Sequence, residues 1–142
     1  MGLIKDMRMK LLAMTFLFCT TLFAISACSS DEVSIGEDFS LHIGQSASIR
    51  GEELQIKFLE VVEDSRCPTG VTCIWEGRVS CLVEITHRES LYSVALTELG
   101  LTNFPTDQTF NEYQITYHVE PYPQAGIEIT KDEYRLILRI TK

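Results

Sequence analysis

Histidine is scarce in this chain of 142 residues: His42, His87 and His118 are the three that occur, and none stands at metal-ligand spacing from a cysteine. A zinc cluster is therefore not expected, and nothing calls for a metal or any other cofactor. His42 and His118 fall on strand positions opposite the apolar ones and His87 falls in a turn, so all three read as solvated side chains rather than general bases. Basic residues are also few, 12 Lys and Arg against 20 Asp and Glu, a formal charge of −8. Without a basic patch, neither nucleic acid nor an anionic membrane face is an expected partner. Ser65 lacks a G-x-S-x-G context. The neighbouring carboxylates Glu63 and Asp64, or Glu52 and Glu53, point to opposite sides of a strand and make no glycosidase dyad. There is no glycine-rich phosphate loop, EF-hand pattern, internal repeat or low-complexity tract. These absences place a hydrolytic enzyme behind non-enzymatic readings.

Long apolar runs are limited to one, Leu11 to Ile25, which follows Lys5, Arg8 and Lys10 and leads into Ile25-Ser26-Ala27-Cys28. A charged flank, an apolar stretch and a small residue before a cysteine resemble a bacterial lipobox, with residues 1–27 as signal peptide and Cys28 as the lipidated first residue of the mature protein. An uncleaved transmembrane anchor is the alternative, since the 17 residues from Leu11 to Ala27 reach the lower limit for a bilayer span. Both readings keep the positive flank in the cytoplasm and export everything after Cys28. Residues 28–38 read as a short polar tether. The serine after Cys28 resembles the sorting signal of outer-membrane lipoproteins, and the acidic pair Asp31-Glu32 resembles surface-export signals; an ordinary solvated linker accounts for both equally well. The expected location is the cell envelope, at the outer membrane, held by acyl chains on Cys28. Loss of residues 1–27 leaves 9 of the 12 basic and 19 of the 20 acidic residues, a charge of −10.

From Phe39 to the C-terminus the apolar pattern has period two, and residues 39–142 are expected to form a single β domain. Phe39, Leu41 and Ile43 are followed, after Gly44, by Ala47 and Ile49, which predicts a first strand that is kinked or split. Leu54, Ile56 and Phe58 give way to Leu59 and Val61 on the opposite parity, which predicts a bulge. Strands are also expected around Val79–Ile85, Tyr92–Leu96, Tyr113–Val119, Ile127–Ile129 and Tyr134–Ile140. The residues 86–90 read as an exposed hairpin turn, 100–111 as a long loop, and Pro121 and Pro123 as the stop of the fifth strand. About seven short strands with one apolar face each predict an antiparallel, immunoglobulin-like β-sandwich, with a small β-barrel as the alternative.

The segment 64–77, DSRCPTGVTCIWEG, is the most distinctive part of that domain. Export places Cys67 and Cys73 in an oxidising compartment, and a Pro and Gly turn between them suits a disulfide. Cys81 shares the parity of Val79, Val83 and Ile85 and reads as a buried free thiol, with a Cys67 to Cys81 bridge as the competing arrangement. Asp64 and Arg66 are expected to form a local ion pair, or Asp64 to cap the turn. Trp75, the one tryptophan, reads either as a core residue packed on the disulfide or as an exposed anchor of a binding surface. Arg66, Arg78 and Tyr122 are the further candidates for that surface.

The DSRCP and C-x-W-x-G elements, with LQIKFLEVVE before them and YQITYHVEPYP after, resemble a family of small bacterial lipoproteins and secreted proteins. The resemblance implies an exported all-β domain with the Cys67 and Cys73 loop as its hallmark, and it brings no activity and no catalytic residue with it. The functional expectation is a membrane-anchored, non-enzymatic module that binds a protein or glycan. A purely structural envelope lipoprotein is the alternative, and exposure of Trp75 separates the two.

Overall fold

Alternation along Val79, Cys81, Val83 and Ile85 puts every second side chain of one strand inside, and all four are fully buried. The computed structural model describes residues 31–100 and 105–142. The expected signal peptide, Cys28 and residues 101–104 lie outside the described residues. Two sheets are formed. The first holds, in spatial order, β1 (Asp31–Val33), β3 (Ser46–Ile49), β4 (Leu54–Asp64), β5 (Arg78–His87) and β6 (Ser90–Leu99). The second holds β2 (Asp38–His42), β9 (Arg135–Thr141), β8 (Tyr113–Glu120) and β7 (Thr106–Phe110). Ile56, Phe58, Ile85 and Leu96 of the first pack against Leu41, Ile115, Leu136 and Leu138 of the second. The sheets stay open at their edges, so the architecture is a β-sandwich and not a barrel. Every pairing is antiparallel except that of β1 with β3.

The break at Gly44 is a change of sheet. Gly44 adopts φ +89° and donates its amide to Phe58 O at 2.7 Å, where the chain leaves β2 for β3. The expected bulge lies between Phe58 and Glu60, and a second register shift follows between Val61 and Glu63.

Among the described residues nine strands replace the expected seven or so. Asp31–Val33, read as tether, pairs with Ala47–Ile49 and belongs to the domain. Thr106–Phe110, read as loop, pairs with Tyr113–Tyr117 as an edge strand, whose polar sequence hides it. Ile127 and Ile129, read as a strand, lie in an irregular connection where Ile127 is exposed, because Gly126 at φ +78° turns the chain just before them. The turn after β5 is Arg88-Glu89, as expected, but His87 beside it is buried. Its ring packs edge-on against Tyr113 and Phe110, and Nδ1 lies 3.2 Å from Asn111 Nδ2. Core-facing parity outweighs its polarity there.

The two ends of the sandwich differ. One carries short turns, including 34–37, 50–53, 88–89 and 111–112. The other carries the β4–β5 connection, 65–77, and the β8–β9 connection, 121–134, with a 3-10 turn at Lys131–Glu133. The second is called the loop end below.

Candidate functional site

The β4–β5 connection is held at its base by main-chain bonds that continue the hairpin. The Ser65 amide donates to Arg78 O at 2.7 Å and the Cys67 amide to Glu76 O at 3.1 Å. Gly77, the last residue of the C-x-W-x-G pattern, adopts φ +67°, and a Cβ there would lie 1.8 Å from Ser65 O. Gly100 closes the same crossing: its amide donates to Gly77 O at 3.0 Å, and a Cβ on it would lie 2.1 Å from Glu76 O. Three backbone segments thus pass with no space for a side chain between them.

The loop is also fastened to the other sheet's connection. The Thr69 amide donates to Pro123 O at 3.0 Å, and the Ala125 amide donates to Thr69 O at 3.1 Å. Cys67 and Cys73 are joined by a disulfide with a Cα–Cα distance of 5.9 Å. Cys81 is free and fully buried, so the competing Cys67 to Cys81 bridge is excluded. Burial pushes its thiol up to about 12.

Arg66 does not belong to a binding surface. Its side chain is inaccessible, and Nε and Nη2 donate to the two Asp64 carboxylate oxygens at 2.9 and 2.7 Å. Nη1 donates to Val119 O at 2.8 Å and Nη2 also to Pro121 O at 2.9 Å. The expected Asp64–Arg66 pair is therefore present, and Asp64 also accepts the Arg66 amide at 3.3 Å and the Tyr134 hydroxyl at 3.0 Å. The guanidinium is tolerated in the interior because a carboxylate and two carbonyls accept its protons. It fastens the loop of the first sheet to the end of β8.

Tyr122 is half-buried, its ring 5.1 Å from the Arg66 guanidinium carbon and its hydroxyl donating to Gly100 O. It lines the foot of the loop with part of its ring accessible. Arg78 is exposed and donates from Nε to Glu63 Oε2 at 3.1 Å beside the loop's base. Among the described residues no His, Cys, Asp and Glu group is placed to hold a metal ion.

Sequence reasoning missed one pair. Glu98 is only 1% exposed; its carboxylate accepts the Val119 amide at 2.8 Å and His118 Nδ1 at 2.7 Å. His118 is thus oriented by a buried carboxylate from the facing sheet instead of being freely solvated. The signal was available: Glu98 sits on the core-facing parity of Tyr92, Val94 and Leu96. His118, Tyr122, Cys67, Pro68, Thr69 and Val71 line an open cleft of about 480 Å³ at the foot of the loop. A carboxylate-held imidazole can relay a proton, but the two sulfurs of the loop are tied up in the disulfide and offer no thiol to act on.

Comparison with known proteins is negative. No family model, curated protein or solved structure matches this chain.

What this framework presents is the loop's tip. Ile74 is 90% exposed, Trp75 78% and Val71 52%. Of the two readings of Trp75, packing on the disulfide as a core residue is overturned: the side chain is exposed. The physical reason is geometric: the zippered base and the disulfide turn residues 71–75 outward, beyond the reach of either sheet. From Cys67 to Trp75 the loop carries no charged side chain. Trp75, Ile74 and Val71 form an apolar prong on a fixed support; Arg78 and Glu63 lie at its base.

Proposed function

We propose that this protein is an exported lipoprotein, acylated at Cys28 and carried by the outer membrane, whose domain is a non-enzymatic binding module acting through the stapled loop. The single observation behind the reading is the exposure of Ile74 and Trp75 on a loop pinned at its base, waist and foot. Leaving apolar side chains in water has a cost of about 25 cal/mol per Å² relative to burial, and a rigid mount lowers the ordering entropy lost on binding. A tip of this kind suits an apolar counter-surface, whereas a purely structural lipoprotein has no need of one. The lipobox-like Ile25 to Cys28 and the resemblance of the DSRCP and C-x-W-x-G elements to small bacterial lipoproteins support the anchored, exported half of the reading.

The test has two parts. Intact mass and non-reducing peptide mapping of the membrane-extracted protein are expected to give an acylated Cys28 start and a Cys67–Cys73 bridge. Hydroxyl-radical footprinting is expected to oxidise Trp75 readily in the purified protein and much less in intact cells. Equal oxidation in both settings would show the tip unoccupied and remove the binding role.

A further inference from the structure

The described chain begins close to its proposed anchor, and this bears on what the prong meets. Asp31 is already paired in the first sheet, opposite Ala47. Two residues, Ser29 and Ser30, lie between it and Cys28, three residue steps that reach at most about 10 Å. A domain acylated at Cys28 would therefore be held with Asp31 within about 10 Å of its anchor, close enough for its surface to meet the headgroups.

The direction of β1 selects that part. It runs parallel to β3, away from the loop end, so the chain enters Asp31 from the side on which β4 continues to Asp64 and the stapled loop. Ala47 lies opposite Ile56, and Asp64 lies eight residues further along β4, about 25 Å at strand rise. With the anchor beside the β1 edge, partway up the body, and the prong at the loop end, one plane touches both when the sandwich leans with its β1 edge and loop end toward the membrane. Val62, which is exposed near the end of β4, and Ile127, which is exposed on the connection fastened to Thr69, lie at the same end as the prong. The exposed apolar residues Ile35, Leu91 and Tyr92 lie toward the other end.

From these relations we infer that the prong's partner is the lipid interface of the membrane that carries the anchor: Val71, Ile74 and Trp75 seat among headgroups and upper acyl chains as a second attachment beside Cys28. The composition fits the occupant. The tip is uncharged, tryptophan is suited to the boundary between headgroup and hydrocarbon, and an acidic mature chain gains nothing from lipid charge, so the contact is apolar. The inference rests on the acylated Cys28 of the proposed function and names the partner of the same loop.

Because Trp75 is the only tryptophan, its emission reports on the prong alone. The full acylated protein would be reconstituted into vesicles of phosphatidylethanolamine and phosphatidylglycerol, with and without lipid brominated near the headgroup end of the acyl chain, and floated on a gradient. The expected result is co-flotation, a blue-shifted Trp75 emission, strong quenching by the brominated lipid and a several-fold fall in quenching by aqueous acrylamide. In a Val71→Ser, Ile74→Ser double variant, whose changed side chains are exposed, Trp75 should return to a water-like emission while flotation persists. Flotation of the unaltered protein with Trp75 still open to acrylamide and untouched by bromine would overturn the inference and leave the tip to a protein or glycan partner. Failure to float would remove the anchored reading and the inference together.

Discussion

At the scale of single residues, glycines of similar backbone conformation have different meanings. Gly77 and Gly126 both have positive φ, +67° and +78°, but only Gly77 faces backbone at sub-contact distance, whereas nothing lies within 4 Å of a Cβ on Gly126. Gly126→Ala should cost only the left-handed penalty, about 1 to 2 kcal/mol, while Gly77→Ala should cost at least about 3 kcal/mol or prevent folding. Urea midpoints of the two variants check this, and equal midpoints would mean that the crossing at Ser65 can open without penalty. Cys81 sets an alkaline limit. Burial raises its thiol from 9.0 to about 12, so the folded chain keeps a proton that the unfolded chain gives up. The stability from this group is complete below pH 9 and is lost as pH rises toward 12, at a slope of about 1.4 kcal/mol per pH unit. Burial also pushes the Tyr113 and Tyr134 hydroxyls up to about 12, which adds to the loss above pH 10. Unfolding free energies at pH 8 and pH 9.5 should therefore differ more in the natural protein than in Cys81→Ala, and a matching slope would sink the assignment.

At the scale of elements, what could be read in advance was whatever the core enforces. β5 and β8 bury alternate residues throughout, and period two betrays them. β1 and β7 bury almost nothing, so DEV and TDQTF carried no such mark; pairing to a neighbour makes them strands. The Leu54 to Val61 parity switch disclosed one bulge of β4, but the second, between Val61 and Glu63, fell where both faces are partly open. The candidate site divided in the same way. The Cys67–Cys73 staple and the Asp64–Arg66 pair were local and legible, whereas the partners of Arg66 at Val119 and Pro121 are more than fifty positions away in the chain. The sequence could not decide between core and surface for Trp75, because exposure depends on where the loop is aimed, which no local pattern records. The staple can be tested as an element. A Cys67→Ser, Cys73→Ser variant should lose about 2 kcal/mol, the chain-entropy value for so short a loop. It should keep its sheet signal in circular dichroism, because the body does not depend on the tip. Trp75 should show lower fluorescence anisotropy as residues 68–75 loosen; unchanged anisotropy would credit the base hydrogen bonds alone with the loop's rigidity.

At the scale of the whole molecule, the question is what joins the two sheets besides apolar packing. Hydrogen bonds between them gather at the ends of the sandwich. Tyr113 donates to Glu52 at 2.7 Å at the turn end; at the loop end Arg66 reaches Val119 and Pro121, Tyr117 donates to Thr97 O at 2.7 Å, and Glu98 accepts from Val119 and His118. Bonds in the loop end are largely withdrawn from water, unlike the exposed Asp38–Arg139 pair at 2.6 Å, which ties β2 to β9 within one sheet. Burial decides which matters, because a surface pair is screened and exchanges readily with water, while a buried amide stripped of its acceptor keeps the full desolvation cost. Glu98→Ala should accordingly destabilise by about 2 to 3 kcal/mol, since it strands the Val119 amide and frees His118. The loss should be nearly the same in 0.05 and 0.5 M salt. Asp38→Ala should have a small effect that fades as salt rises. Chemical denaturation of both variants at the two salt concentrations decides the matter: a salt-sensitive Glu98 effect would mean that water reaches the joint between the sheets, and the loop end would then depend on packing, Arg66 and the Tyr117–Thr97 bond instead.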